Sequence, residues 1–372
     1  MQANDPVSRT HTVTLRPLTP IHVWSGQRLV VGLDLVQLGV DRFCLVDAEK
    51  LPPDAILEMS RMRLEDIPKF LERLGSNLPC RQELRVGGEP PRVGAQVLEL
   101  NKYVVPGSTL KGYIRTALLY YLLNQIRDAD KLKDILRSGI DPSADPRRVS
   151  EGLEATFFRT PRLKKQRGFA DSFQSLLVSD PTVELSPECY RVTQILVHEL
   201  PRLAIVASLH AIVVSCGRLV YTLNIMKPLK EGLTLIDRAK GDHSRILERL
   251  QLLSREDLLG ALRVFGCYVL STELERVKGI KELENYAVLL TKFSEMYCRS
   301  SSTCVPAKIG FAAGIHSKTV IGLVKRVDPD LYASVRSSME SQIRHTWDEL
   351  TLKLTKTEQG LVGLGWCELC LS

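Results

Sequence analysis

A chain of 372 residues, 44% hydrophobic and 25% charged, is long enough for two folded domains, and its composition excludes a disordered or low-complexity protein. Fifty Lys+Arg against 43 Asp+Glu leave a net charge of +7, which permits an anionic partner without demanding one, so local clustering matters more than the total. No apolar run approaches the ~20 residues that cross a bilayer, the polar N-terminus through His11 lacks the core of a signal peptide, and an odd count of nine scattered Cys points to free thiols in a reducing, cytoplasmic setting.

A first strand is expected over 13–18, where Val13 and Leu15 alternate with polar residues. Leu18-Thr19-Pro20-Ile21-His22-Val23-Trp24-Ser25-Gly26 follows it. Residues 43–47 read as a second strand, 48–57 lead into a helix, and 58–74 have helical spacing with Met59, Met62, Ile67, Phe70 and Leu71 as core positions. The stretch 78–93 is rich in Gly and Pro and carries Arg81, Arg85 and Arg92, which reads as a loop or projecting hairpin.

Val104-Val105-Pro106-Gly107-Ser108-Thr109-Leu110-Lys111-Gly112-Tyr113-Ile114-Arg115-Thr116 is a turn running into a helix. A type II turn at Pro106-Gly107 would hold Gly107 at φ > 0, and Ser108 or Thr109 can serve as N-cap. Leu110, Ile114, Ala117, Leu118, Tyr121 and Leu122 form one buried stripe, so the helix is expected to reach about residue 126. Lys111 and Arg115 lie one turn apart on its flank. A helix start carries about half a positive charge and unpaired amides. Gly107, Ser108 and Lys111 therefore make either a phosphate seat or the start of a well-capped structural helix.

Residues 139–146 read as a linker. Arg159, Arg162, Lys164, Lys165 and Arg167 then form a basic run without an intervening acid, either a solvated loop or a contact for a polyanion. It precedes a strand ending in Leu177-Val178-Ser179-Asp180. Residues 204–214 and 219–225 look like two strands of a hairpin turning near Cys216-Gly217, which places a domain boundary near Pro201. Residues 233–274 and 283–296 read as helices. In Lys308-Ile309-Gly310-Phe311-Ala312-Ala313-Gly314-Ile315-His316-Ser317-Lys318-Thr319-Val320, two glycines let a backbone come close to a ligand, and Lys308, His316 and Lys318 could reach phosphates. The chain closes on Gly363-Leu364-Gly365-Trp366-Cys367-Glu368-Leu369, a terminal strand; Cys367-x-x-Cys370 offers at most half of a tetrahedral zinc site.

The runs at 18–26, 106–117, 308–319 and 363–369 resemble, in order, four hallmarks of the RAMP superfamily of CRISPR proteins and of its Csm branch in particular. The first keeps Ser25-Gly26 but has Trp24 where the family usually has glycine, and the third has Ala312 in place of a glycine. The closing run resembles the ending of the member that caps the 3′ end of the guide RNA in type III-A effector complexes. The resemblance implies an α+β fold of two ferredoxin-like (RRM-like) modules with helical insertions and glycine-rich loops, over residues 1–200 and 201–372. It implies a non-catalytic subunit that binds single-stranded guide RNA (crRNA), with other complex subunits and trimming nucleases as partners. Together with the basic run it nominates His22, Ser25, Gly26, Gly107, Ser108, Thr109, Lys111, Arg115, Arg162, Lys164, Lys165, Lys308, Gly310, Gly314, His316 and Lys318 as RNA contacts.

Two other classes compete with this one: a metal-independent endoribonuclease processing the guide precursor, and a purely structural bridge between subunits. The first would need a general acid and base such as His22 or His316 near the reacting oxygens. The seven His are dispersed, no H-E-x-x-H occurs, and no paired carboxylates sit on a glycine loop, so neither a metal nor a cofactor is expected.

Overall fold

The computed structural model describes residues 8–144, 149–161, 169–171, 173, 176–226, 255–299, 302–343 and 350–372. The chain opens with β1 (Ser8–Pro17), β2 (Trp24–Val30), β3 (Leu35–Gln37) and β4 (Arg42–Val46). Two short helices, α1 (Pro53–Met59) and α2 (Ile67–Leu74), precede β5 (Cys80–Gly87) and β6 (Gln96–Leu100). Next come α3 (Gly107–Asn124), α4 (Ala129–Gly139) and α5 (Glu151–Phe158), then the short strands β7 (Arg159–Pro161), β8 (Phe169–Asp171), β9 (Leu176–Val178) and β10 (Thr182–Glu184). Three long strands follow, β11 (Tyr190–Glu199), β12 (Ala204–Val214) and β13 (Arg218–Met226). The rest is α6 (Arg255–Val277), α7 (Glu284–Tyr297), β14 (Cys304–Lys308), α8 (Ile321–Val327), α9 (Pro329–Ile343), β15 (Thr351–Thr357), β16 (Gly360–Gly363) and β17 (Trp366–Leu371).

One sheet runs β10-β13-β1-β17-β14, antiparallel throughout, with β9 also on β13. Its inward positions, such as Leu15, Tyr221, Val305 and Leu369, join Leu110, Ile114, Leu118, Phe265, Val269 and Leu290 of α3, α6 and α7 in the principal core. Gly266 lets α6 lie directly on β14, since a Cβ there would stand 1.9 Å from the Pro306 carbonyl oxygen.

The second sheet runs β2-β6-β12-β11-β5-β4-β3, with β15 and β16 attached through β11. Its two ends are consecutive in sequence and meet at the Val31–Leu35 bridge, where the Gly32 amide donates to the Leu35 carbonyl at 2.7 Å, so the sheet rolls into a barrel. Side chains of one parity fill the interior: Leu29, Val31, Leu35, Phe43, Leu45, Leu84, Val97, Val192 and Ile212. The other parity is covered twice from outside. Ala55, Phe70 and Leu71 of α1 and α2 seal Val36 and Cys44, while Phe311, Ala312 and Leu364 seal Ile195, Ala211 and Val213.

This α+β architecture departs from several sequence expectations. Residues 80–87 are an interior strand rather than a projecting hairpin; their alternation was masked because one face of β5 is partly solvated, leaving Arg81, Glu83 and Arg85 exposed. β12 and β13 do not pair with each other: β12 ends in the barrel, the chain turns at Gly217 with φ +88°, and β13 enters the first sheet. The helix expected over 58–74 is broken into α1 and α2 by turns at 60–66. Of the helix expected over 233–274, the described part is α6, and 233–254 lie outside the described residues. Neither sheet divides near residue 200, because β1 pairs with β13 and β17, and β11 pairs with β15.

The expectation of free thiols is also overturned. Cys44–Cys80, Cys189–Cys216, Cys267–Cys298 and Cys304–Cys370 are disulfides, and only Cys367 is free, buried with its thiol donating to the Ala307 carbonyl. Parity was not informative because pairing depends on strand register: Cys304 and Cys370 are direct cross-strand partners, and β-alternation turns Cys367 to the opposite face. Cys367 and Cys370 therefore cannot clasp one metal. The bridges close loops of 27 to 66 residues, each contributing about 3–4 kcal/mol in the chain-entropy account. Full reduction should move the denaturant midpoint of both the parent and Cys367→Ala downward by the same amount; an unchanged midpoint in reductant would show that the bridges carry no stability.

Candidate nucleic-acid interface

Three of the four hallmark stretches meet along one backbone ladder. The Leu18 amide donates to the Trp366 carbonyl at 2.8 Å, the Gly365 amide to Pro20 at 2.9 Å, the Ile309 amide to Gly365 at 2.8 Å and the Phe311 amide to His22 at 2.8 Å. Gly310 adopts φ +101°, and a Cβ there would lie 2.4 Å from the His22 carbonyl oxygen, so only glycine lets the late loop pass over the early one. His22 is buried between them, its Nδ1 at 2.7 Å from the Ile212 carbonyl and its ring edge-on to Phe311. Burial pushes the imidazole pKa down, with the Ile212 carbonyl opposing. His22 is thus a neutral tie between loop and barrel, not a surface base.

Lys308 is likewise internal. Its side chain is 1% exposed and its ammonium pairs with the Glu273 carboxylate of α6. Tyr286 of α7 donates to the same carboxylate, as does Trp366 Nε1 at 3.0 Å, and the ammonium lies 5.4 Å from the Trp366 ring centroid. Burial pushes the Glu273 carboxyl up, but Lys308 and these two donors outweigh it and hold the group below its ordinary range. The expected phosphate contact of Lys308 is replaced by a structural one.

The start of α3 is also committed internally. Pro106 is the N-cap, without a side-chain cap from Ser108 or Thr109, and Gly107 is already helical rather than left-handed. The Asp180 carboxylate accepts from the Gly107 amide at 2.9 Å, which puts an acid of this chain where the phosphate seat was expected. Gly107 is glycine for closeness: a Cβ would lie 2.2 Å from the Ser179 carbonyl oxygen. Arg115 is clamped by Glu154 and Asp171 at 2.9–3.1 Å and lies over the Phe158 and Phe173 rings. Lys111 stays partly accessible beside them; partial burial lowers its pKa, with Asp171 opposing and Arg115 adding. Ser108 is exposed. Arg162, Lys164 and Lys165 lie outside the described residues.

A cleft that the sequence reading missed opens beside the late glycine loop. It encloses about 700 Å³ between α6, α8, α9 and the turn at Leu200 and Pro201, and its cations are Arg276, Lys325, Arg326 and Arg336 against the single acid Glu275. Tyr268 lines the cleft half-buried, and Tyr332 is buried in its wall at 8% exposure. His316 forms its loop-side edge, its Nδ1 at 3.3 Å from the Tyr268 hydroxyl, while Tyr268 stacks on Tyr120 at 4.6 Å. Gly322 makes room for this pair, since a Cβ there would lie 1.6 Å from the Tyr268 hydroxyl oxygen. Lys325 stands 5.1 Å from the Tyr332 centroid and Arg276 is braced on the Thr351 carbonyl at 2.8 Å. Arg276 stands 49 to 60 residues before the other three, which are split between α8 and α9, so no linear run announced them. Of the other nominated residues, Gly314 turns at φ +75°, Lys318 is exposed on the far side of the loop beside α3 and α9, and Ser25 and Gly26 lie at the barrel mouth.

Two substitutions check these assignments. Gly107→Ala should destabilise the protein by roughly 1–3 kcal/mol through overpacking. Glu273→Gln should cost about 3–5 kcal/mol by leaving Lys308 buried and unpaired, and adding Lys308→Met should recover part of it. A double variant no more stable than Glu273→Gln in denaturant melts would deny that the pair is coupled.

No family model matches the sequence, and no curated protein matches it. Solved structures do. A chain of the Csm–crRNA–target RNA ternary complex of a type III-A CRISPR–Cas system, determined by cryo-electron microscopy, superposes with a TM-score of 0.70 at 18% identity, covering 97% of this chain and 100% of that one. The crystal structure of Csm5 from T. onnurineus superposes with a TM-score of 0.61 at 18% identity, covering 95% and 99%. From end to end, the chain has the α+β fold of these Csm subunits.

Proposed function

We propose that the chain is a non-catalytic, RNA-binding subunit of a type III-A CRISPR effector complex, holding the 3′ part of the guide RNA and supporting its maturation and the assembly of the complex. The observation that carries this reading is the full-length likeness to a chain from an RNA-loaded Csm complex. The cleft with its four cations is where this chain would hold RNA, because phosphates need dispersed positive charge, and half-buried Tyr268 adds an aromatic edge. Guide sequences vary, so binding through phosphates and stacking rather than base edges suits the task. The partners are crRNA, the neighbouring subunits and trimming nucleases, and the setting is cytoplasmic; no described helix is long and apolar enough to cross a membrane.

The reading leaves both nominated histidines without a catalytic task, His22 as the tie between loop and barrel and His316 as a wall of the cleft. Purified alone, the chain should retain RNA of fixed 3′ end and leave labelled guide precursor uncut; specific product bands abolished by His22→Ala or His316→Ala would replace this reading with the endonuclease. Affinity for single-stranded RNA should fall steeply with salt, each neutralised phosphate contributing about −0.7 to the log–log slope. Lys325→Ala and Arg326→Ala should each flatten that slope by about the same amount. A slope indifferent to both variants would remove RNA from the cleft.

A further inference from the structure

The barrel has an open mouth that the RNA cleft does not use. It holds a cavity of about 520 Å³, lined from β2, β4, β5, β6, β11, β12 and the turn after β6. A void of that size is far outside what close packing leaves inside a domain, falls within the range of small-molecule sites, and sits where barrels commonly place them. Its floor is apolar, Ile212 and Leu45. Tyr190 stands on one wall, beside Gln82. The amides of Gln82 and Asn101 stand among the lining groups, and each presents a donor and an acceptor together.

The rim is charged and braced. Arg81 reaches across to Glu99 at 2.8 Å, and the same carboxylate accepts from Ser25 at 2.8 Å, while Lys102 lies exposed 4.7 Å from the Tyr103 centroid. The turn that carries Asn101 and Lys102 is fixed from both sides: the Asn101 amide donates to Val23 at 2.8 Å, and its side-chain oxygen accepts from the Tyr103 amide at 3.0 Å. Val104, at the end of the turn and in the cavity wall, adopts φ +62°, a conformation a β-branched residue takes only when its surroundings impose it.

The geometry points to the barrel mouth as a binding site for a single nucleotide, its base laid against Tyr190 with its polar edge toward Gln82 and Asn101, and its 5′-phosphate at Arg81 and Lys102. Paired amides match the donor–acceptor edge of a base, a ring face matches its plane, and the two rim cations match the phosphate. The same chemistry is met by a free nucleoside monophosphate and by one unstacked nucleotide of an RNA strand. The site is independent of the cleft proposed above, and the two can fail separately.

Isothermal titration of the full chain with UMP, AMP, ribose 5-phosphate and inorganic phosphate tests it. A nucleoside monophosphate should bind, and ribose 5-phosphate, lacking the base, should bind about tenfold more weakly or worse. Gln82→Leu and Tyr190→Ala should abolish the difference between them while Lys325→Ala leaves it intact, with melting curves confirming that each variant is folded. Displacement of a bound monophosphate by single-stranded RNA assigns the site to a strand nucleotide, and failure to displace it assigns it to a free one; both support the proposal. If no monophosphate binds the parent protein more tightly than ribose 5-phosphate, the proposal is wrong, whatever the variants do.

Discussion

The rest of the structure hangs on one buried ion pair, Lys308 with Glu273, and on the two aromatic donors that complete it. Taking two charges out of water costs several kcal/mol per ion, and only a fully hydrogen-bonded arrangement repays it. Here the α6 carboxylate is surrounded by an ammonium, a tyrosine hydroxyl and an indole N–H from three other elements, so α6, α7, β14 and β17 are tied together at one point. Gly363 is part of the same constraint, because a Cβ there would stand 2.1 Å from the Tyr286 hydroxyl oxygen. The strand end that carries Lys308 continues directly into the glycine-rich loop, and the ladder from Leu18, Pro20 and His22 holds that loop down. The position of His316, and with it one edge of the cleft, follows.

Much of this was written in the sequence as spacing. The central helix, the terminal strand and the convergence-bearing runs at 18–26, 308–319 and 363–369 could be found because turns, caps and periodic apolar positions are local signals. Their roles could not. A lysine at the end of a short strand looks like a surface cation until its partner 35 residues upstream is known to face it. Arg115 reads as a helix-flank base, yet its two acids come from 39 and 56 residues away. Gly107 was recognisable as obligatory, but the reason is a neighbouring carbonyl rather than a left-handed turn, and the left-handed residue is Val104.

Burial and exposure thus sort the basic residues into two groups with opposite tasks. Lys308 and Arg115, inside hallmark motifs, hold the scaffold; Arg276, Lys325, Arg326 and Arg336, in runs that resemble nothing in particular, gather at a cleft. With a net charge of only +7, the positive charge at the cleft is concentrated by helix packing rather than by composition. The disulfides fit a scaffold of this kind, because they fasten the barrel, the α6–α7 pair and the terminal strand, and the Cys267–Cys298 bridge holds α6, one wall of the cleft, from behind.

Whether RNA lies in the cleft beside the glycine loop is decided by photocrosslinking single-stranded RNA carrying 4-thiouridine to the full chain and locating the attached peptides by mass spectrometry. Adducts are expected in α6 at Tyr268 and across 315–336. Adducts confined to the α1–α2 face of the barrel, with none on α6, α8 or α9, would contradict that placement.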